Sequence, residues 1–172
     1  LREFFLALID AYQERSPEDI SRILGDDLKV LAKFEPLLLT LPGAENAAEP
    51  AELPSDAAQQ RVIDALKRML GAIAAEKPIL LVLDDVQWAD ELSLRFLSSL
   101  SDAEFASRPV LVIAAFRDKD LPEELTALIA KKGVELTQLS ELGEHELESV
   151  VGDMLAVEKP HPALLGHLME LP

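Results

Sequence analysis

The chain has 172 residues, 49% of them hydrophobic, and 32 acidic against 16 basic residues give it a formal charge of -16. That length suits one globular domain with a core of its own, and a surface this negative repels nucleic-acid phosphates and anionic lipid, so neither direct nucleic-acid binding nor membrane attachment is expected. The absence of cysteine excludes disulfides and thiolate metal sites and fits a cytoplasmic location; no apolar run nears the roughly 18 to 20 residues that span a bilayer, and LREFFLALID lacks the basic start and cleavage site of a signal peptide.

Residues 1–42 read as a helical region. Phe4, Phe5, Leu8 and Ile9 recur at helical spacing, and Ser16-Pro17-Glu18-Asp19 is a start signal, with Ser16 as N-cap and Pro17 in the first helical position. A third helix is predicted from Asp26 toward Phe34, and Pro36 and Pro42-Gly43 close the region. Residues 43–55, GAENAAEPAELPS, have the composition of a loose surface loop and are the segment best suited to disorder. A long helix is then predicted from about Asp56 to Glu76, capped by Ser55 or Asp56, with Val62, Leu66, Met69, Leu70 and Ile73 on one face.

After Lys77-Pro78 the period changes. ILLVL is a continuous apolar run of strand length, and its lack of alternation predicts a strand covered on both faces, as in a parallel sheet between helices. Asp90 is placed to cap a helix over about Glu91 to Ser101 whose Leu94, Leu97 and Leu100 face inward, with Trp88 packed beneath it. Arg108-Pro109 leads into VLVIAAF, a second apolar strand that closes on Arg117-Asp118. A helix with Pro122 near its start and Gly133 past its end leads to VELTQL, a third strand, and helices over about Glu144 to Val157 and Pro162 to Leu171 follow. The class is α/β: a partial parallel sheet of about three strands flanked by helices, with a helical N-terminal region. Within a single unit over 1–172, the α/β part occupies 56–140 and a helical end 141–172.

Ligands on such sheets bind outside the carboxyl ends of the strands, where Asp84, Asp85 and Arg117 fall. A carboxylate at a strand tip can hold a magnesium ion, a second can orient an attacking water, and a guanidinium on the neighbouring tip can sense a terminal phosphate. The plainer alternatives stay open at this point. An Asp-Asp pair after a strand is commonly a turn, Arg117 can pair with Asp118 or Asp120, and Trp88 can be packing rather than a ligand platform. His145, His161 and His167 have no ligand spacing, and neither a Gly-x-Ser-x-Gly elbow nor an internal repeat is present.

The whole constellation narrows the choice. PILLVLDDVQWADELSLRFLSSL, then VLVIAAFRDKDL, then VELTQLSELGEHELESVVGDML resemble the ATPase domains of bacterial multidomain signalling proteins, the signal-transduction ATPases with numerous domains, a branch of the AAA-like P-loop fold. The resemblance runs over about Leu1 to Pro172, and LDDVQWAD is its most specific part. It implies that Asp84 is the magnesium-associated Walker B aspartate, Asp85 the acid beside the attacking water, and Arg117 the sensor arginine. It also implies ATP and magnesium as cofactors, slow hydrolysis used as a switch, and output partners in the same parent chain: a DNA-binding regulator, a kinase or a nucleotide cyclase.

The phosphate cradle of that fold, Gly-x-x-x-x-Gly-Lys-Ser/Thr, does not occur in the sequence. The chain is therefore expected to be an internal fragment of the ATPase domain, beginning after its first strands, with no nucleotide bound and no activity of its own. Missing strands would leave a bare sheet edge, from which a homodimer is expected. The competing expectation is a regulatory or protein-interaction scaffold that kept the fold without the phosphate loop.

Overall fold

A computed structural model of the chain describes residues 2–100, 108–119 and 121–169. Two compact units emerge, Leu1–Glu135 and Leu136–Pro172.

The first unit begins with helix α1 (Arg2–Tyr12), which buries Phe5, Leu8 and Tyr12. Helix α2 (Pro17–Ile23) starts as predicted: the Ser16 hydroxyl accepts the Asp19 N–H at 3.2 Å, and Pro17 occupies a position whose N–H would have no helical partner. A 3-10 turn, Gly25–Asp27, then leads into the single turn of α3 (Leu28–Leu31), and a second 3-10 segment spans Pro36–Thr40. Of the 43–55 loop, Ala44–Asn46 form a short 3-10 turn, and Lys29–Glu49 (2.8 Å) and Arg61 to the Ala51 carbonyl (2.9 Å) tie down the rest.

Helix α4 (Ser55–Glu76) organises this unit. Val62, Leu66, Met69, Leu70 and Ile73 are all buried, as their spacing predicts. The helix starts one residue earlier than expected: Ser55 is its first residue, Pro54 stands at the cap, and no side chain accepts there. Together with Leu31 and Leu38, both fully buried, the α4 face forms the main core, at about 1.5–3 kcal/mol for each large aliphatic side chain removed from water. At its rim the Arg68 guanidinium forks onto both oxygens of Asp27 at 2.6 and 2.7 Å. That hydrogen bond pushes the Arg68 pKa above its ordinary value.

Strand β1 (Ile79–Leu83) pairs in parallel with β2 (Val110–Ala114), Ile79 opposite Val110 and Leu83 opposite Ala114. Helix α5 (Glu91–Leu100) packs on α4, and α6 (Glu123–Ile129) packs on α5. Ile79, Leu81 and Val110 meet the main core. Two expectations are corrected here. The sheet has two strands among the described residues rather than about three: VELTQL, residues 134–139, forms no ladder, because a segment that alternates only over Val134–Thr137 and then places Gln138 on its apolar side becomes a strand only beside a neighbour that supplies hydrogen bonds. Nor are both faces of β1 and β2 covered. Within this unit helices pack on one face, and Leu80, Val82, Leu111 and Ile113 on the other are 57, 67, 60 and 51% exposed.

The second unit holds α7 (Glu144–Leu155) and α8 (Pro162–Met169). Ala156 turns left-handed at φ 53° to end α7, the Val157 N–H returns to the Gly152 carbonyl at 3.0 Å, and the Val157 carbonyl oxygen would stand 3.0 Å from a side-chain carbon at Gly152, which favours glycine there. His161 accepts the Ala163 N–H on Nδ1 at 3.2 Å, a helix-start role. The predicted end of α8 at Leu171 and the Ser101 end of α5 lie outside the described residues. No helix among the described residues is long and apolar enough to cross a membrane.

Candidate functional site at the strand tips

The tips of β1 and β2 are joined beyond the strands themselves. Ala115 N–H donates to the Leu83 carbonyl at 2.8 Å, and Val86 N–H donates back to the Ala115 carbonyl at 3.0 Å. The turn after β1 is thus fastened to the residues leading into Arg117. Beneath it lies a small apolar cluster of Val86, Leu94 and Leu125, against which Leu83 and Phe116 pack.

On this platform Asp84 accepts the Asp85 N–H on Oδ1 at 2.9 Å. Asp85 then adopts left-handed backbone, φ 52° and ψ 41°, a region that costs a side-chain-bearing residue about 1–2 kcal/mol and that Asp tolerates better than most. The reversal feeds a 3-10 turn, Val86–Trp88, closed by Trp88 N–H to the Asp85 carbonyl at 2.9 Å. Val86 and Gln87 turn inward and Trp88 outward. The expectation that Trp88 packs beneath α5 is corrected: it is 82% exposed, because the tight turn spends its inward positions on its two neighbours.

Asp90 is a helix cap, as predicted, and a complete one: Oδ1 accepts the Ser93 N–H at 2.8 Å and Oδ2 the Ser93 hydroxyl at 3.0 Å. Leu94 beneath it is buried, Leu97 and Leu100 are half-buried, and Phe96, absent from the predicted face, is buried as well.

Gln87 is the polar residue that sequence reasoning passed over. It is only 9% exposed. Its Nε2 donates to Asp85 Oδ1 at 2.8 Å and its Oε1 accepts the Arg117 backbone N–H at 3.1 Å. The structure therefore brings Asp84, Asp85 and the backbone of Arg117 into one hydrogen-bonded tip, while all three side chains stay exposed. A faint signal was available: an amide between Val86 and Trp88, straight after a strand, needs polar partners if it turns inward.

The donor set suits a hard cation. Magnesium is commonly held by one or two carboxylates, its other positions going to water and substrate oxygens, and Asp84 and Asp85 offer such oxygens. Among the described residues no group of three His, Cys, Asp or Glu side chains forms a metal cage, the arrangement that calcium or structural zinc would need. For a nucleotide the fit is partial, because the sequence holds no glycine-rich phosphate loop to supply backbone donors.

Residues 2–113 match the family model of the AAA ATPase domain, a span that contains Asp84, Asp85 and Gln87 and stops short of Arg117. No curated protein and no solved structure matches the chain. With most of the 172 residues inside the match, and an acidic pair at the tip of a parallel strand within it, the chain belongs to the AAA ATPase domain family.

Proposed function

We propose that these residues form the metal-binding and sensor half of a nucleotide-dependent signalling switch, in which ATP binding and slow hydrolysis control an attached regulator, kinase or cyclase module. Family membership supports nucleotide and magnesium use in general. The observation that carries the finer reading is the joined strand tip, where the Asp84-Asp85 turn and the Arg117 segment share hydrogen bonds. In this reading Asp84 holds magnesium, Asp85 orients the attacking water and takes its proton, and Arg117 stabilises charge on the terminal phosphate. A bound metal would supply neutralisation of phosphate charge. The residues themselves supply aim: Asp85 is fixed by its left-handed turn, and Arg117 is held one strand away. The phosphate cradle has to come from other residues of the full polypeptide, since none of these provides it.

The absent phosphate loop favours a second reading, a scaffold in which the acidic pair binds nothing. Manganese, a paramagnetic stand-in for magnesium, separates the two. Titrated into the chain, it should broaden the amide resonances of Asp84 and Asp85 and the Trp88 indole first, and Asp84→Ala should abolish that selectivity. In the full-length polypeptide with Mg-ATP, Asp85→Asn should lower kcat by about 100-fold or more. Broadening spread evenly over the acidic surface, together with unchanged turnover, would establish the scaffold.

A further inference from the structure

We propose that Gln87 is a positioning residue that makes the aim of the Asp85 carboxylate depend on where the Arg117 end of β2 sits. The inference rests on the roles given above to Asp85 and Arg117, and goes beyond them by naming the link between the two.

Gln87, Glu35 and Ser93 are the buried polar side chains among the described residues, and Gln87 uses both ends of its amide in opposite directions. The orientation of that amide follows from chemistry. A backbone N–H can only donate, so the atom facing Arg117 is Oε1; a carboxylate can only accept, so the atom facing Asp85 is Nε2. The amide plane is rigid. A shift of the Arg117 backbone that drags Oε1 therefore moves Nε2 against Asp85 Oδ1, and each bond in such a chain polarises the other. Asp85 depends on this support, since a left-handed residue persists where its surroundings over-determine it.

Other residue types do not satisfy both ends. Glu at this position would set a like charge against Asp85, Asn is a methylene too short to span from one partner to the other, and an apolar side chain would leave the Arg117 N–H without its acceptor. A sensor arginine whose backbone is strapped in this way to the acid has a direct route for passing its own displacement to the residue that orients water.

Hydrogen exchange at the Arg117 amide of the 172-residue chain reads the strap without nucleotide. Gln87→Met, close in volume, should speed that exchange about 3- to 10-fold, the loss of one hydrogen bond. Asp85→Gly, which keeps the left-handed backbone but removes the carboxylate, should speed it about 3-fold, whereas Asp85→Asn, which keeps an acceptor, should change it less than about 2-fold. In a Gln87→Met background neither end of the link remains, so Asp85→Gly should have less than about a 2-fold effect. The strap is overturned if Gln87→Met leaves Arg117 exchange within about 2-fold of native, or if Asp85→Gly acts equally in both backgrounds. In the full-length polypeptide Gln87→Glu should lower kcat with KM for Mg-ATP nearly unchanged; equal loss in both, or no loss, would reduce Gln87 to a turn clip. A full-length protein without ATP turnover, combined with a coupled exchange cycle, sinks the ATPase reading and leaves the strap standing.

Discussion

Tyr12 is the only tyrosine of the chain, and its buried hydroxyl has no hydrogen-bond partner among the described residues. The Arg15 guanidinium and the Lys77 ammonium lie 5.6 and 5.8 Å from its ring centre. Burial first, and then the Glu76 carboxylate, raise its pKa above 10.0, against the smaller opposing pull of Arg15 and Arg22. A raised folded pKa means that the neutral phenol is favoured by folding, so its contribution is fully present below the unfolded pKa and is lost as pH rises through the folded one. An absorbance titration of the phenolate should therefore show a midpoint above 10.0, and urea unfolding should show a loss of stability beyond that pH. Tyr12→Phe should remove its share of the alkaline loss and leave neutral-pH stability unchanged or up to about 1 kcal/mol higher, because it deletes a hydroxyl without a partner. A midpoint at or below the ordinary value would contradict this account. Residues of this kind differ in how readable they are from sequence. Asp90 was legible as a cap because the bond it makes spans three positions, to Ser93; the left-handed turn at Asp85 and the inward Gln87 were not, because both depend on a segment of β2 far along the chain.

At the scale of elements, periodicity was a sound guide wherever a helix needed one covered face. The α4 face was legible position by position, since any partner that excludes water satisfies it. Leu66 is fully buried in that face, and Leu66→Ala should cost about 2–5 kcal/mol in urea unfolding, the methyl groups lost plus the cavity left. A cost below about 1 kcal/mol would mean that α4 is not the centre of the core. Strands were harder. ILLVL and VLVIA announced themselves by composition, yet an apolar run states only what its side chains are, and the number of layers that cover them is a property of the neighbours. VELTQL failed for a related reason, since a strand exists only through its ladder.

At the largest scale, the sheet face that the described helices of the first unit leave open stands out against the acidic composition. Leu80, Val82, Leu111 and Ile113 form a contiguous apolar surface, with Val82 directly opposite Ile113 in the pairing register. The native chain should bind a hydrophobic fluorescent dye there. Val82→Glu combined with Ile113→Lys, an opposite-charge cross-strand pair, should reduce the dye signal by about half or more while changing stability by less than about 1 kcal/mol, because these side chains give up little burial. An undiminished signal would place the dye site elsewhere.

The sequence by itself determined the long helix α4 and the two apolar strands, that Asp84, Asp85 and Arg117 stand at strand ends, and the AAA-like character that the family match then established. These are local facts, carried by spacings of a few residues and by the order of a motif. The tertiary structure decided that helices of the first unit cover one face of the sheet, that Trp88 points to solvent, that Tyr12 finds no hydroxyl partner among the described residues, and that Gln87 joins Asp85 to Arg117. Each of these depends on what packing brings beside a residue, and a bond from Gln87 to a strand end 30 residues away exists only once β1 and β2 have paired in register.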